Sequence, residues 1–245
     1  MRKGKDRMTD AKKIDWRNPM VRKAVAGFVV VTALPALVMF LAAGRIDWWE
    51  AWAMICLNAF VTIISRVILL RIHPDLAMER ARWTGVQDAK VWDKRLMPIV
   101  GLYGPLLMWL VAGFDKRWNG SPQIAIELEI AAFVLVMLGY VISVWAFLEN
   151  KFFSAVVRIQ TERGHTVVST GPYAWVRHPG YAGGIVSYMM TPIALGTLWV
   201  FLPAVLTTIA VIVRTALEDK TLQVELPGYK EYVARVHNRL VPGLW

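Results

Sequence analysis

The stretch PGYAGGIVSYMMTPIALGTLWVFLPAVLTTIAVIV, residues 179–213, runs for 35 residues without a charged side chain. As one straight helix it would reach about 52 Å at ~1.5 Å per residue, well beyond a bilayer core of roughly 30 Å. The run therefore has to fold back, and Pro192, Gly196 and Pro203 mark the bend. Two legs result, 180–195 and 198–214, which make a helical hairpin.

The rest of the chain fits the same solvent. Hydrophobic residues make up 56% of the 245, charged ones only 19%, and the mean hydropathy of +0.43 is not that of an ordinary soluble domain. Residues 24–44, 96–114 and 130–148 are uncharged, and 51–70 is interrupted only by Arg66, which can snorkel to the interface near Arg71. With the hairpin, this predicts an all-α integral membrane protein of about six membrane segments. Its parts are a basic segment 1–23, a four-helix transmembrane region 24–148 and a C-terminal region 149–245.

An even number of spans puts both termini on one side. Of the 28 basic residues, 24 fall before residue 24, within 71–95, within 149–180 or from 214 onward, the loops and ends of that side. By the positive-inside rule, both ends and the 171–184 stretch are cytoplasmic, in an inner or plasma membrane or the endoplasmic reticulum according to source. The net charge of +10 then belongs to topology and anionic membrane lipids, and no nucleic-acid partner is expected. Trp48, Trp49 and Trp52 are expected to be interfacial anchors on the opposite side. The lone Cys56 excludes an intramolecular disulfide, and four dispersed histidines give no metal motif, so no metal is expected.

Polar information gathers in residues 149–177 and 214–239. Residues 155–159 and 166–168 are β-prone runs around 162–165, which predicts a short cytoplasmic β-hairpin-like segment. Tyr229, Tyr232, Val233 and Val236 fall at i, i+3, i+4 and i+7, the stripe of an amphipathic C-terminal helix. In GPYAWVRHPGYAGG, residues 171–184, Pro179 suits the first position of a helix, so Arg177 and His178 lie at a helix entrance that favours anions. The glycines that follow are expected to leave backbone open to a ligand, unless they serve helix packing instead. Arg214 and Glu218 are four apart and share a helix face. On its own such a pair is most simply an exposed salt bridge, but the hairpin returns it to the level of His178, so the two clusters border one pocket.

Taken together, Gln160, HTVVSTGPYAWVRHPGY (165–181), the Arg214–Glu218 pair and GYKEYVARVHNRLVP (228–242) resemble the isoprenylcysteine carboxyl methyltransferase family and the related integral-membrane phospholipid methyltransferases. The resemblance covers about residues 150–242. It implies a membrane-embedded enzyme that uses S-adenosylmethionine to methylate a lipophilic small molecule or lipid, at a prenylcysteine-like carboxylate or a headgroup. Carried over by motif, the cofactor contacts are Gln160, His165, Thr166, Val167, Val168, Tyr173, His178, Pro179, Gly180, Tyr181 and Glu218. Arg214 matches the substrate-contacting arginine, so Arg214 and Glu218 are the expected catalytic pair. The chain departs from the family in carrying Asp219 where a second glutamate is frequent and Gly180 where serine is. No two of the 17 glycines are spaced as G-x-G, so a soluble nucleotide-binding unit is not indicated. Alternatives are an NADPH-dependent membrane reductase of the sterol-reductase type and a non-catalytic lipid-binding scaffold.

Overall fold

A computed structural model describes residues 19–73, 75–76, 80 and 88–245. Most of the basic segment 1–23, and Arg82, lie outside the described residues. The helices are α1 (Pro19–Ala43), α2 (Trp49–Ile72), α3 (Asp93–Trp118), α4 (Ile126–Glu149), α5 (Pro179–Ala194), α6 (Phe201–Glu225) and a short α7 (Tyr229–Arg235). Trp49–Ile72, Asp93–Trp118, Ile126–Glu149 and Leu198–Glu225 are long and apolar enough to cross a membrane, which makes this a multi-pass membrane protein. Leu70, Leu138, Val141, Leu206 and Ile209 stand exposed on these helices, the pattern of lipid-facing surface.

Where the chain must pack without a hydrophobic drive between helices, it uses small residues and hydroxyls. Gly139 of α4 and Gly183 of α5 meet backbone to backbone; a Cβ on either would collide with the other helix. Ser143 donates to the Gly180 carbonyl at 3.0 Å, and Ser187 donates across to the Val136 carbonyl at 3.2 Å. Gly183, expected to face either a ligand or a neighbouring helix, packs against α4.

Within α3 a π-helical turn, Ile99–Tyr103, lies between Pro98 and Pro105. The Gly104 amide bonds the Ile99 carbonyl, and Pro105 has no N–H to offer Val100. The Val100 carbonyl takes the Tyr188 hydroxyl instead, at 2.9 Å, which ties α3 to α5. Chain reversal between α5 and α6 is made at Gly196, whose φ of +64° is left-handed, followed by a 3-10 turn at Leu198–Val200.

One end of the bundle is closed by Ala43, Trp48, Ala51, Ala112, Leu195 and Val200. Trp48 is 1% exposed there, so it is a core residue and not an interfacial anchor; Trp49 and Trp52 are exposed. Two residues after Trp48, Glu50 in the first turn of α2 is held by Lys116 at 3.1 Å. The other end carries residues 150–178 and α7.

No strand forms among the described residues, and the β-hairpin expected over 155–168 is absent. Val157 of the first run finds partners elsewhere. The Val157 amide donates to Asp93 at 2.7 Å, and the Val157 carbonyl accepts from the Lys90 amide at 3.0 Å. A 3-10 turn at Thr161–Arg163 and Gly164, at φ +61°, reverse the chain instead. With its backbone groups satisfied by α3 and the segment before it, this stretch gains nothing from pairing with itself.

Candidate functional site

The start of α3, the end of α4, the start of α5 and the end of α6 meet under α7 and residues 150–168, and a cleft of about 790 Å³, partly open to solvent, lies among them. Of the expected residues, His165, Thr166, Val167, Val168 and Tyr173 line one wall, while His178, Gly180, Tyr181, Arg214 and Glu218 line the other. The two sequence clusters thus border one cavity. Gln160 and Pro179 do not line it. Gln160 is fully buried, donating to the Phe152 carbonyl at 2.7 Å and accepting from Arg163. Pro179 opens α5.

Arg214 and Glu218 share a helix face but form no ion pair with each other. Arg214 is clamped by Asp93, with Nε to Oδ1 at 2.7 Å and Nη2 to Oδ2 at 3.1 Å, and Nη2 also donates to the Ala155 carbonyl at 3.0 Å. Its guanidinium lies 5.5 Å from the centre of the Tyr181 ring. Asp93 is fully buried and was not singled out in the sequence, where it reads as a surface acid in a basic loop. The only local signal is its place at the foot of the apolar run 96–114, on the side to which Arg214 returns.

Glu218 is half-buried and accepts the Tyr181 hydroxyl at 2.6 Å. Among the described residues no cation lies within ion-pair distance of it. Adjacent Asp219 is its opposite: fully buried, it collects Arg177 at 2.8 and 3.1 Å, His178 at 3.3 Å, Gln223 at 2.8 Å, Tyr229 at 3.1 Å and Arg239 at 2.9 Å. One helix therefore presents two neighbouring carboxylates, one aimed at a cleft and one locked inside the fold.

Arg177, expected to help hold an anion at the helix entrance, is used up by Asp219 and by the carbonyls of Val236 and His237, both at 2.7 Å. Burial works against its charge, but the Asp219 contacts outweigh that and hold its basicity above the ordinary value. The Arg177 and His178 amides pair with the carbonyls of Asn238 and Arg239, both at 2.9 Å, so the C-terminal residues brace the head of α5. Gly180 meets the Phe153 ring, where a side chain would collide, so the absence of the family's frequent serine goes with an aromatic wall here.

His165 accepts the Gln160 amide at Nδ1, 3.3 Å, and its ring lies 4.5 Å from that of Phe152. Burial, and then Arg163 and Arg158, push its pKa down to about 4, so it is neutral at pH 7. Above the cleft, α7 buries Tyr229 and Tyr232 against Tyr173, Leu226 and Ala146, with Val233 and Val236 packed alongside. Tyr232 donates to the Tyr173 carbonyl at 2.7 Å. Burial raises the Tyr173, Tyr229 and Tyr232 hydroxyls well above the usual tyrosine range, so they act as neutral donors.

The cleft at one end of this multi-pass bundle thus brings together a carboxylate with no ion pair among the described residues, buried tyrosine hydroxyls and a clamped arginine. Residues 128–225, within α4 to the end of α6, match the phospholipid methyltransferase family model. None of the curated proteins matches the chain significantly.

Proposed function

We propose that this protein is an S-adenosylmethionine-dependent methyltransferase that modifies a lipophilic acceptor at the membrane surface. The observation that carries the reading is Glu218, a carboxylate turned into the cleft of the family-matched region with a hydroxyl partner and, among the described residues, no ion pair. A buried or half-buried carboxylate is stable in such a place when a cation completes it. The cofactor offers an ammonium group, and the cleft's neutral His165 and tyrosines suit its uncharged polar edges.

The residues that would hold it are His165, Thr166, Val167, Val168, Tyr173, His178, Gly180, Tyr181 and Glu218, with Gln160 and Pro179 supporting them from behind. When bound, the cofactor supplies a methyl group on a sulfonium. The chain's own residues then have three tasks. Tyr181 orients Glu218 by its 2.6 Å hydrogen bond, α7 and Tyr173 exclude water, and Asp93 holds Arg214 in a fixed orientation beside Tyr181. Arg214 orients a carboxylate or phosphate of the acceptor and is not a base, because a guanidinium keeps its proton.

The acceptor is a prenylcysteine-like carboxylate or a lipid headgroup. Six membrane segments with both termini cytoplasmic would place the cleft where a soluble cofactor enters from the cytoplasm and the acceptor enters sideways from the bilayer. The test is transfer of radiolabelled methyl from S-adenosylmethionine into lipid-extractable product, using protein in liposomes of phosphatidylethanolamine, or in liposomes doped with an S-prenylated cysteine. Labelled product in one series, abolished by Glu218→Ala, is expected. Label that appears equally with the variant sinks the assignment.

A further inference from the structure

Next to the cleft, behind Phe153, lies a cationic group outside the set used above. Arg80 is half-buried, donates from Nη1 to the Phe153 carbonyl at 3.1 Å, and stacks 4.9 Å from the Phe147 ring centre and 5.8 Å from that of Phe153. Phe153 is itself a wall of the cleft and touches Gly180 at the head of α5. The guanidinium therefore sits directly behind that wall, on the flank where α4 ends. Arg66, exposed on the membrane-crossing α2, and Arg214 are near enough for their charges to act on it.

These positive groups repel one another, and the carboxylates that act on Arg214, Asp93 and Glu218, leave Arg80 and Arg66 uncompensated. Asp93 is spent on Arg214 through both oxygens. Among the described residues no carboxylate lies within ion-pair distance of Arg80 or Arg66, and burial followed by Arg66 and Arg214 depresses Arg80's pKa to about 10. A guanidinium kept charged there, against two aromatic rings, has no carboxylate partner among the described residues. A cation on a lipid-exposed helix is in the same position.

We infer that Arg80, with Arg66 and Arg214 beside it, is a subsite for the oxyanion of an amphiphile, a phosphate or carboxylate whose apolar chain lies along the membrane-facing side of α2. Phe60, Ile63, Ile64 and Val67 are exposed on that helix and supply the apolar track. Calling this amphiphile the methyl acceptor rests on the methyltransferase reading; the subsite itself does not. It assigns to Arg80 the capture of the negative charge, and leaves Arg214, already neutralised by Asp93, to orient what Arg80 has captured.

The test uses decyl phosphate, decanol and inorganic phosphate, titrated calorimetrically into full-length protein in an uncharged maltoside, with S-adenosylhomocysteine titrated into each preparation. Decyl phosphate should bind wild type and bind Arg80→Gln at least about tenfold more weakly, while Arg80→Lys retains most of the affinity. Decanol should bind weakly and without regard to residue 80. Decyl phosphate binding that is the same in wild type and Arg80→Gln overturns the subsite, and so does decanol binding as tightly as decyl phosphate. Inorganic phosphate binding as tightly as decyl phosphate overturns its assignment to an amphiphile. If Arg80→Gln does not fold, Arg66→Gln at the exposed position carries the test: weaker decyl phosphate binding supports the subsite and unchanged binding sinks it. Unaltered S-adenosylhomocysteine binding in Arg80→Gln confirms an intact cleft. Absence of that binding in wild type, beside Arg80-dependent binding of decyl phosphate, would leave the subsite standing and remove the methyltransferase reading.

Discussion

Glu218 and Asp219 are adjacent in sequence, yet one faces the cleft and the other is enclosed by Arg177, His178, Gln223, Tyr229 and Arg239. Their substitutions should therefore separate. Asp219→Asn strands buried cationic partners and should cost about 3–5 kcal/mol of stability, seen as a large fall in unfolding temperature in detergent. Glu218→Ala should leave that temperature near wild type. Asp93→Ala is expected to resemble Asp219→Asn, since it leaves Arg214 buried without its carboxylate. Arg214→Ala should impair use of the acceptor more than binding of S-adenosylhomocysteine; equal loss of both would mean Arg214 organises the whole site. His165 sets a pH dependence. Its folded pKa of about 4 lies below the ordinary value, so the unfolded chain takes up a proton first as pH falls. Its contribution is complete above about pH 6.5 and is lost as pH drops toward 4. Unfolding temperature should therefore decline more steeply between pH 7 and 5 in wild type than in His165→Gln; identical slopes would show that His165 is not held neutral by the fold.

At the scale of elements, the α4–α5 crossing positions the head of α5, and through it Gly180, Tyr181 and His178. Gly183→Val would push a branched side chain into the Gly139 backbone and should destabilise the protein by several kcal/mol, on the order of a severe overpacking, with loss of a monodisperse peak after extraction. A well-behaved Gly183→Val protein would mean the crossing is not tight. Elements were legible in the sequence to unequal degrees. The break in the 179–213 run was readable because two prolines and a glycine have fixed conformational consequences, and α5 and α6 do part at Gly196. Residues 155–159 and 166–168 form no strands because β-propensity describes a side chain's fit to a pleated surface, and here Asp93 and Lys90 supply the backbone partners of Val157 from 64 or more residues away. The convergence of His178, Tyr181, Arg214 and Glu218 followed from hairpin geometry, whereas Asp93 and Arg80 could not be found that way, because no local pattern marks which surface charge a distant helix will bury.

For the molecule as a whole, Lys90, Arg158, Arg177 and Arg239 lie at the end that carries the cleft, and the Glu50–Lys116 pair lies at the other end. With Cys56 replaced by serine, a single cysteine at Lys230 should react with a membrane-impermeant thiol reagent only from the cytoplasmic side, and one at Ser121 only from the other; labelling of both from one side would overturn the even-span topology. We propose the cleft centred on Glu218 and Tyr181 as a cofactor site. The most direct test is calorimetric titration of S-adenosylmethionine and S-adenosylhomocysteine into purified, folded protein, with NADPH as control and Glu218→Ala beside wild type. Saturable binding of both adenosyl compounds, none of NADPH, and a loss of affinity of at least about tenfold in Glu218→Ala are expected. Binding of NADPH alone, or adenosyl binding that Glu218→Ala leaves unchanged, would contradict it.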